Sequence, residues 1–411
     1  MNWLDYSIVI LYIIFFLGMG FFFKENKDSK DYFLGGKSMS WFPLSLSTMA
    51  TQLSAISFIS APAFVGLKLG GGMKWLTFEF AVPLAMIFIM IVIVPPLFKS
   101  GVVSIYEFVE NRFSASTRLI LSVVFQISRA LATGVMVYAI AIILQAILDI
   151  DFVYTILIIC IITIVYSWQG GMKAVVWGDA IQMIILFAGL IICLYYGWNI
   201  LQENGGLPQG FENERLQVIN YNLGIGEGND YGIIPMLFGG IFLYASYYGC
   251  DQTQAQRLLS AKSEKTVRQL LLANGLLRFP VVLTYCTMGL VIGGLVSVAP
   301  DFLSEIALTT QKYFPEEFAK TGIKVDLMLP VFIIKYLPHG LIGILMVGIL
   351  SAAMSSLSST VNSLSAVTVE DFFNRGKVKL SNKKYMLISK GSVVFWGVVC
   401  IASAFLFGGS K

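Results

Sequence analysis

The stretch WFPLSLSTMATQLSAISFISAPAFVG, residues 41–66, decides how this chain is read. It is long enough to cross a bilayer as a helix. Yet Ser45, Ser47, Thr48, Thr51, Gln52, Ser54 and Ser57 crowd its middle, and Pro62 and Gly66 fall in its last turns. An interrupted helix exposes backbone carbonyls that lipid cannot satisfy, so it survives at membrane depth only where it lines a cavity or holds something. Residues 232–257 repeat the pattern, with Pro235, Gly239, Gly240 and Gly249 beside Tyr244, Ser246, Tyr247 and Tyr248.

The rest of the chain fits an all-α polytopic membrane protein. Of 411 residues 57% are hydrophobic and only 13% charged, about half the charged share of a soluble domain, which excludes an ordinary cytosolic enzyme. No alternation of the kind a β-barrel shows is visible. Cuts at charged, glycine and proline clusters leave ten candidate segments: 5–23, 41–66, 75–98, 117–148, 152–168, 174–201, 232–257, 269–298, 327–369 and 385–408. The two polar segments are five apart, and an odd number of segments per unit inverts the second unit relative to the first, the arrangement of inverted-repeat transporters.

One set of loops carries Lys24, Lys27, Lys30 and Lys37; Lys99, Arg112 and Arg118; Lys173; Arg257, Lys262, Lys265 and Arg268; and Arg375 to Lys384. The other set carries Asp149 and Asp151; Glu203, Glu212, Glu214, Glu227 and Asp230; and Asp301, Glu305, Glu316 and Glu317. The positive-inside rule makes the first set cytoplasmic and places the N-terminus outside. The net charge of +4 gives no reason to expect nucleic acid. Five cysteines inside apolar runs read as buried thiols, and the first run, preceded by Asp5 and without a basic leader, reads as a spanning helix.

Inside the ninth segment, Ser351-Ala-Ala-Met-Ser355-Ser356-Leu-Ser358-Ser359-Thr360 turns a ladder of hydroxyls toward one side. Ser355, Ser358 and Ser359 fall within a wedge of about 100°, with Ser356 on its border. Such oxygens, with few formal charges, suit a monovalent cation, sodium first. The alternative is close helix packing by small residues bonded back to their own carbonyls. Asp179, at membrane depth, supplies one negative charge for a second cation or is an interfacial carboxylate. Arg129 has no charged neighbour in sequence; it either holds a solute's carboxylate or hydroxyl or pairs with the equally isolated Glu79. Arg278 and Lys335 lie near enough to segment ends to snorkel. His339, after Pro338, reads as an N-terminal turn residue, Gly70-Gly71-Gly72 as a loop, and no cluster has metal-ligand or nucleophile–base spacing.

Asp31-Tyr-Phe-Leu-Gly-Gly-Lys37, Ala50-Thr-Gln-Leu-Ser-Ala-Ile-Ser-Phe58, Gly170-Gly-Met-Lys-Ala-Val-Val-Trp-Gly-Asp179, Gln256-Arg257 and Ala352-Ala-Met-Ser-Ser-Leu-Ser-Ser359, in this order, resemble the sodium:solute symporter family. The resemblance implies the leucine-transporter fold, with two inverted five-helix repeats and one extra N-terminal helix. On that reading residues 1–40 are the extra helix and its cytoplasmic loop, 41–201 the first repeat, 202–231 an extracellular loop, and 232–411 an incomplete second repeat without its last helix. The family's sodium site implies the carbonyls of Ala50, Leu53 and Ala352 with the hydroxyls of Ser355 and Ser356. A further site in some members implies Asp179, Ser355, Ser358 and Ser359. Positions lining the family's central cavity fall on Gln52, Ser54, Ser57, Glu79 and Tyr247, while Arg129 lies one helical turn before the carboxylate-binding arginine of a sialic acid transporter, where this chain has Ala132.

These readings point to a sodium-coupled importer of a small polar solute (a sugar, sugar acid, amino acid or carboxylate) working by alternating access with two sodium ions. It would be a monomer in the lipid bilayer, with no enzymatic activity. The rival is a symporter-like sensor module of a larger signalling protein.

Overall fold

The computed structural model describes residues 1–23, 29–53, 55–211, 215–224, 231–375 and 380–408. Ser54, a predicted solute contact, lies outside the described residues, as do the loop charges Lys24, Lys27, Glu212, Glu214, Glu227, Asp230, Lys377 and Lys379.

Among the described residues the chain is helical apart from turns, loops and one isolated bridge between Met39 and Ala261. Helix α1 (Trp3–Phe22) opens on Asn2, whose side chain accepts the Leu4 and Asp5 amides, while Asp5 accepts from Asn2 in return. Then come α2 (Trp41–Gln52) and α3 (Ala55–Gly66), bent by 60°, and α4 (Met73–Ser100), α5 (Ala115–Leu148) and α6 (Phe152–Glu203). The second half holds α7 (Gly240–Cys250), α8 (Gln252–Leu259), α9 (Glu264–Val298), α10 (Leu341–Phe373) and α11 (Asn382–Gly408). Seven of the described helices are long and apolar enough to span a membrane, and the bent pair α2/α3 makes an eighth.

The break expected between the fifth and sixth segments is present, and two other boundaries differ from the sequence expectation. Within Phe152–Glu203, numbered α6 as one element, two helices meet at a kink at Gly171, where φ is +55° and ψ −147°. Only glycine takes that conformation cheaply, and a Cβ there would meet the Tyr32 carbonyl oxygen. The ninth segment starts at Leu341, because Met328–Tyr336 is a separate short helix ended by Leu337 and Pro338. The second broken segment is interrupted at Asp251, past the glycines that predicted it.

Helix α10 is the axis of the molecule. It packs on α6, α1, α5, α11 and α2, and Ile342 to Val367 are almost continuously buried, polar residues included. Small serines permit that crowding. From outside, α1 fixes α10 at two heights. The Asp5 carboxylate accepts the amides of Gly340 and Gly343, beside His339 as its turn position implied, and the Tyr12 hydroxyl accepts from Ser351 and Gln182.

Candidate functional site

Helix α2 stops where Leu53 leaves helical geometry at φ −80°, ψ 77°, so its last carbonyls lose their i+4 donors. The Ala50 carbonyl is met instead by the Ser355 hydroxyl of α10 at 3.3 Å. The same Ser355 Oγ reaches the Ala352 carbonyl at 3.2 Å, and Ser356 Oγ reaches it at 3.3 Å. Two carbonyls and two hydroxyls, all from buried residues, therefore converge between a helix break and the hydroxyl ladder. A hydroxyl that donates here can rotate to offer a lone pair to a cation. Leu53 lies at the break itself, where its carbonyl leaves the helical ladder.

One turn along α10, the fully buried Asp179 of α6 gathers a second cluster. Its Oδ2 accepts from Ser47 at 2.7 Å, Arg257 Nη2 at 2.8 Å and Ser359 at 3.2 Å, and its Oδ1 faces Ser358 at 3.4 Å. Arg257 also donates to Ser47 Oγ at 2.8 Å, to the Thr253 carbonyl at 2.5 Å and to Ser359. This corrects the placement of Arg257 among the cytoplasmic loop charges: it is 1% exposed and carries the countercharge of Asp179. A buried carboxylate demands such a partner.

Beside Ser356 a cavity of about 210 Å³ is lined by Thr51, Gln52, Arg129, Thr133, Tyr247 and Thr360. The two broken segments meet at its edge, where Tyr248 donates to Gln52 and Gln254 to the Thr48 carbonyl. Arg129 does not pair with Glu79. Its partner is Asp251, at the break between α7 and α8, with the guanidinium 5.0 Å from the Tyr247 ring centroid. Glu79 is instead held by Arg278, through Nε at 2.5 Å and Nη2 at 3.0 Å, and by Tyr244 at 3.1 Å. Both carboxylate oxygens of Glu79 are thus engaged in this conformation. Arg278 is buried in this pair and does not snorkel. Ser57 lies elsewhere, on a cavity of about 830 Å³ with Trp75, Arg278 and Tyr285. Cys250, expected buried, is exposed, while the other four cysteines are buried.

The structure therefore brings Ala50, Ala352, Ser355 and Ser356 into one cluster, Asp179, Ser358 and Ser359 into a second, and Gln52, Arg129 and Tyr247 around one cavity. Sequence reasoning missed Asp251, Ser47 and Arg278 as members of these networks. Asp251 carries a local signal, since its Oδ1 caps the Thr253 amide of α8 at 2.8 Å. An acid at the end of an apolar run, immediately before the polar helical stretch Gln252–Leu259, marks an N-cap.

A sequence model of the sodium:solute symporter family matches residues 32–408. The chain is 28% identical over 410 residues to sodium-coupled monocarboxylate transporter 2 of Bos taurus, covering 97% of this chain and 63% of that one. It is 28% identical over 428 residues to a putative sodium-dependent multivitamin transporter of Drosophila melanogaster, covering 98% and 66%. To the sodium/iodide cotransporter of Homo sapiens it is 27% identical over 410 residues, covering 98% and 60%. The chain thus spans about three-fifths of the length of these curated relatives. Among solved structures, a sodium-coupled sialic acid symporter in a substrate-bound outward-open state superposes with a TM-score of 0.82 at 22% identity, over 100% of this chain and 83% of that one. A nucleobase-cation-symport-1 family transporter in a closed conformation gives 0.55 at 13% identity, over 94% and 75%. These two likenesses establish a shared fold.

Proposed function

This chain belongs to the sodium:solute symporter family, and on that premise we propose that it is a multi-pass membrane protein that couples inward sodium flow to import of a small polar solute. The observation that carries the reading is the Ser355 hydroxyl reaching both the Ala50 carbonyl at the helix break and the Ala352 carbonyl on α10, to which Ser356 also donates. Sodium bound there draws a broken segment and the ladder helix together. Solute then finds the adjoining cavity formed, which is selection of one conformation by differential affinity.

The driving force is adequate. About 2.3 kcal/mol per charge at 100 mV and about 1.4 kcal/mol from a tenfold gradient let one sodium concentrate a neutral solute several hundredfold. A second sodium at Asp179, Ser355, Ser358 and Ser359 would square that ratio. The proximity of Ser358 and Ser359 to the carboxylate supports this second site, which requires Arg257 to yield its place on Asp179. Repeats spanning 41–201 and, incompletely, 232–411, with residues 1–40 as an added helix and its loop, 202–231 as an external loop and the N-terminus outside, complete the proposal and supply alternating access. The names of the relatives, transporters of monocarboxylate, vitamins and iodide, favour a small anion among polar solutes.

The test is uptake into proteoliposomes with sodium replaced by potassium. Uptake should collapse, and Ser356→Ala should raise the half-saturating sodium concentration about tenfold, as for a lost charge-assisted hydrogen bond of about 1.5 kcal/mol. Undiminished uptake in potassium would reject symport, and an unaltered sodium dependence would reject the site.

A further inference from the structure

Arg129 and Asp251 stand between two cavities. Arg129, with Tyr247, lines the central cavity of about 210 Å³ beside Ser356. Asp251, again with Tyr247, lines a separate space of about 780 Å³ whose walls include Val92, Leu97 and Phe125 and which carries Arg112. The pair is half-open, at 23% and 17% side-chain exposure, unlike the sealed pairs of Glu79 and Asp179.

Its geometry is that of a replaceable partner. Both contacts from the guanidinium, Nε at 3.0 Å and Nη2, go to the single oxygen Oδ2 of Asp251. The other carboxylate oxygen is occupied by the Thr253 amide. Nη1 of Arg129 makes no hydrogen bond among the described residues. A free carboxylate presenting two oxygens makes the parallel double contact that the resident acid does not. When displaced, Asp251 keeps its hydrogen bond to the Thr253 amide and the favourable end of α8, and it already borders the second cavity. No other charged side chain lines the central cavity among the described residues, so an entering solute meets one positive charge stacked on an aromatic face.

We propose that Arg129 and Asp251 form an exchange latch selective for small monoanions: a solute carboxylate takes Arg129 from Asp251 and so unfastens α5 from the break between α7 and α8, opening the passage between the two cavities. The cavity is smaller than the roughly 300 Å³ at which drug-sized pockets begin, which limits the solute to a short acid. Sodium beside Ser356 adds attraction for the same anion. The inference rests on the symport reading for the direction of movement and for this added pull of sodium.

The test is a thermal-shift titration of the purified chain in sodium and in potassium. The probes are propionate, lactate, pyruvate and nicotinate, each against its uncharged amide. At least one acid, and none of the amides, should stabilise the wild-type chain. Asp251→Asn, which removes the competitor, should lower the half-saturating acid concentration about tenfold. Arg129→Gln should abolish the response to acid while the stabilisation by sodium persists, showing that the variant is folded; Arg129→Lys, which keeps the charge and loses the fork, serves the same end if the glutamine variant does not fold. Amides that bind as well as acids, no response to any acid, or weaker acid binding in Asp251→Asn would each overturn the latch. Acid selectivity that depends on Arg129, with no preference for sodium over potassium, would leave the latch standing and remove the symport reading.

Discussion

Replacing Glu79 by Gln separates a structural ion pair from a solute ligand. The carboxylate is 1% exposed and the Arg278 side chain 7% exposed. Arg278 grips Glu79 through Nε and Nη2, and Tyr244 contacts both residues at 3.1 Å. The Nη1 atom of Arg278 is buried and already lacks a partner among the described residues. Removing the one negative charge it has would leave a guanidinium enclosed and uncompensated, a penalty of about 3–5 kcal/mol. If that penalty is felt in the unfolding barrier, loss of folded protein at one fixed temperature accelerates about 10²–10⁴-fold. The double change Glu79→Gln with Arg278→Met removes both charges and should recover most of the loss, since well-packed apolar replacements of buried pairs are close to neutral. The assay follows the monodisperse fraction by size-exclusion chromatography at a series of times. A Glu79→Gln protein as long-lived as the parent, or a double variant no better than the single one, would refute the structural role.

Three other outcomes follow from the same geometry. Asp179→Asn should prevent accumulation of folded protein by stranding Arg257 in the core, and adding Arg257→Gln should restore it; expression and monodispersity of the four variants of the cycle decide this. Gly171→Ala should destabilise by more than the usual helix gain, because φ is +55° and the new methyl meets the Tyr32 backbone; a longer-lived alanine variant would contradict the turn. The Tyr313 hydroxyl and then the Lys312 ammonium hold the Asp149 carboxyl below the ordinary aspartate range. A lowered folded value contributes stability that is present above the unfolded value and lost as pH falls through the folded one. The tether of the Pro300–Tyr313 helix to Asp149 should therefore loosen only below about pH 4, seen as faster amide exchange in that helix and absent in Asp149→Asn.

Most of the architecture was legible because it is local. A run of apolar residues of membrane length needs no partner to be recognised, and serines at helical spacing share a face whatever packs on them. The broken segment at 41–66 was visible for the same reason: its polar residues and proline conflict with a lipid-facing helix. The displaced boundaries show the limit. Asp251, an N-cap, marks a break that the nearby glycines only approximated.

The sequence by itself determined the all-helical membrane class, the first interrupted helix and the hydroxyl face of α10, each a matter of composition and short-range period. Only the tertiary structure decided which charge answers which. Arg257 meets Asp179 across 78 positions, Arg129 meets Asp251 across 122, and Arg278 meets Glu79 across 199. A buried charge must find a countercharge, and the sequence states that need. Which one it finds depends on distances of a few ångströms between helices, set by how whole segments pack.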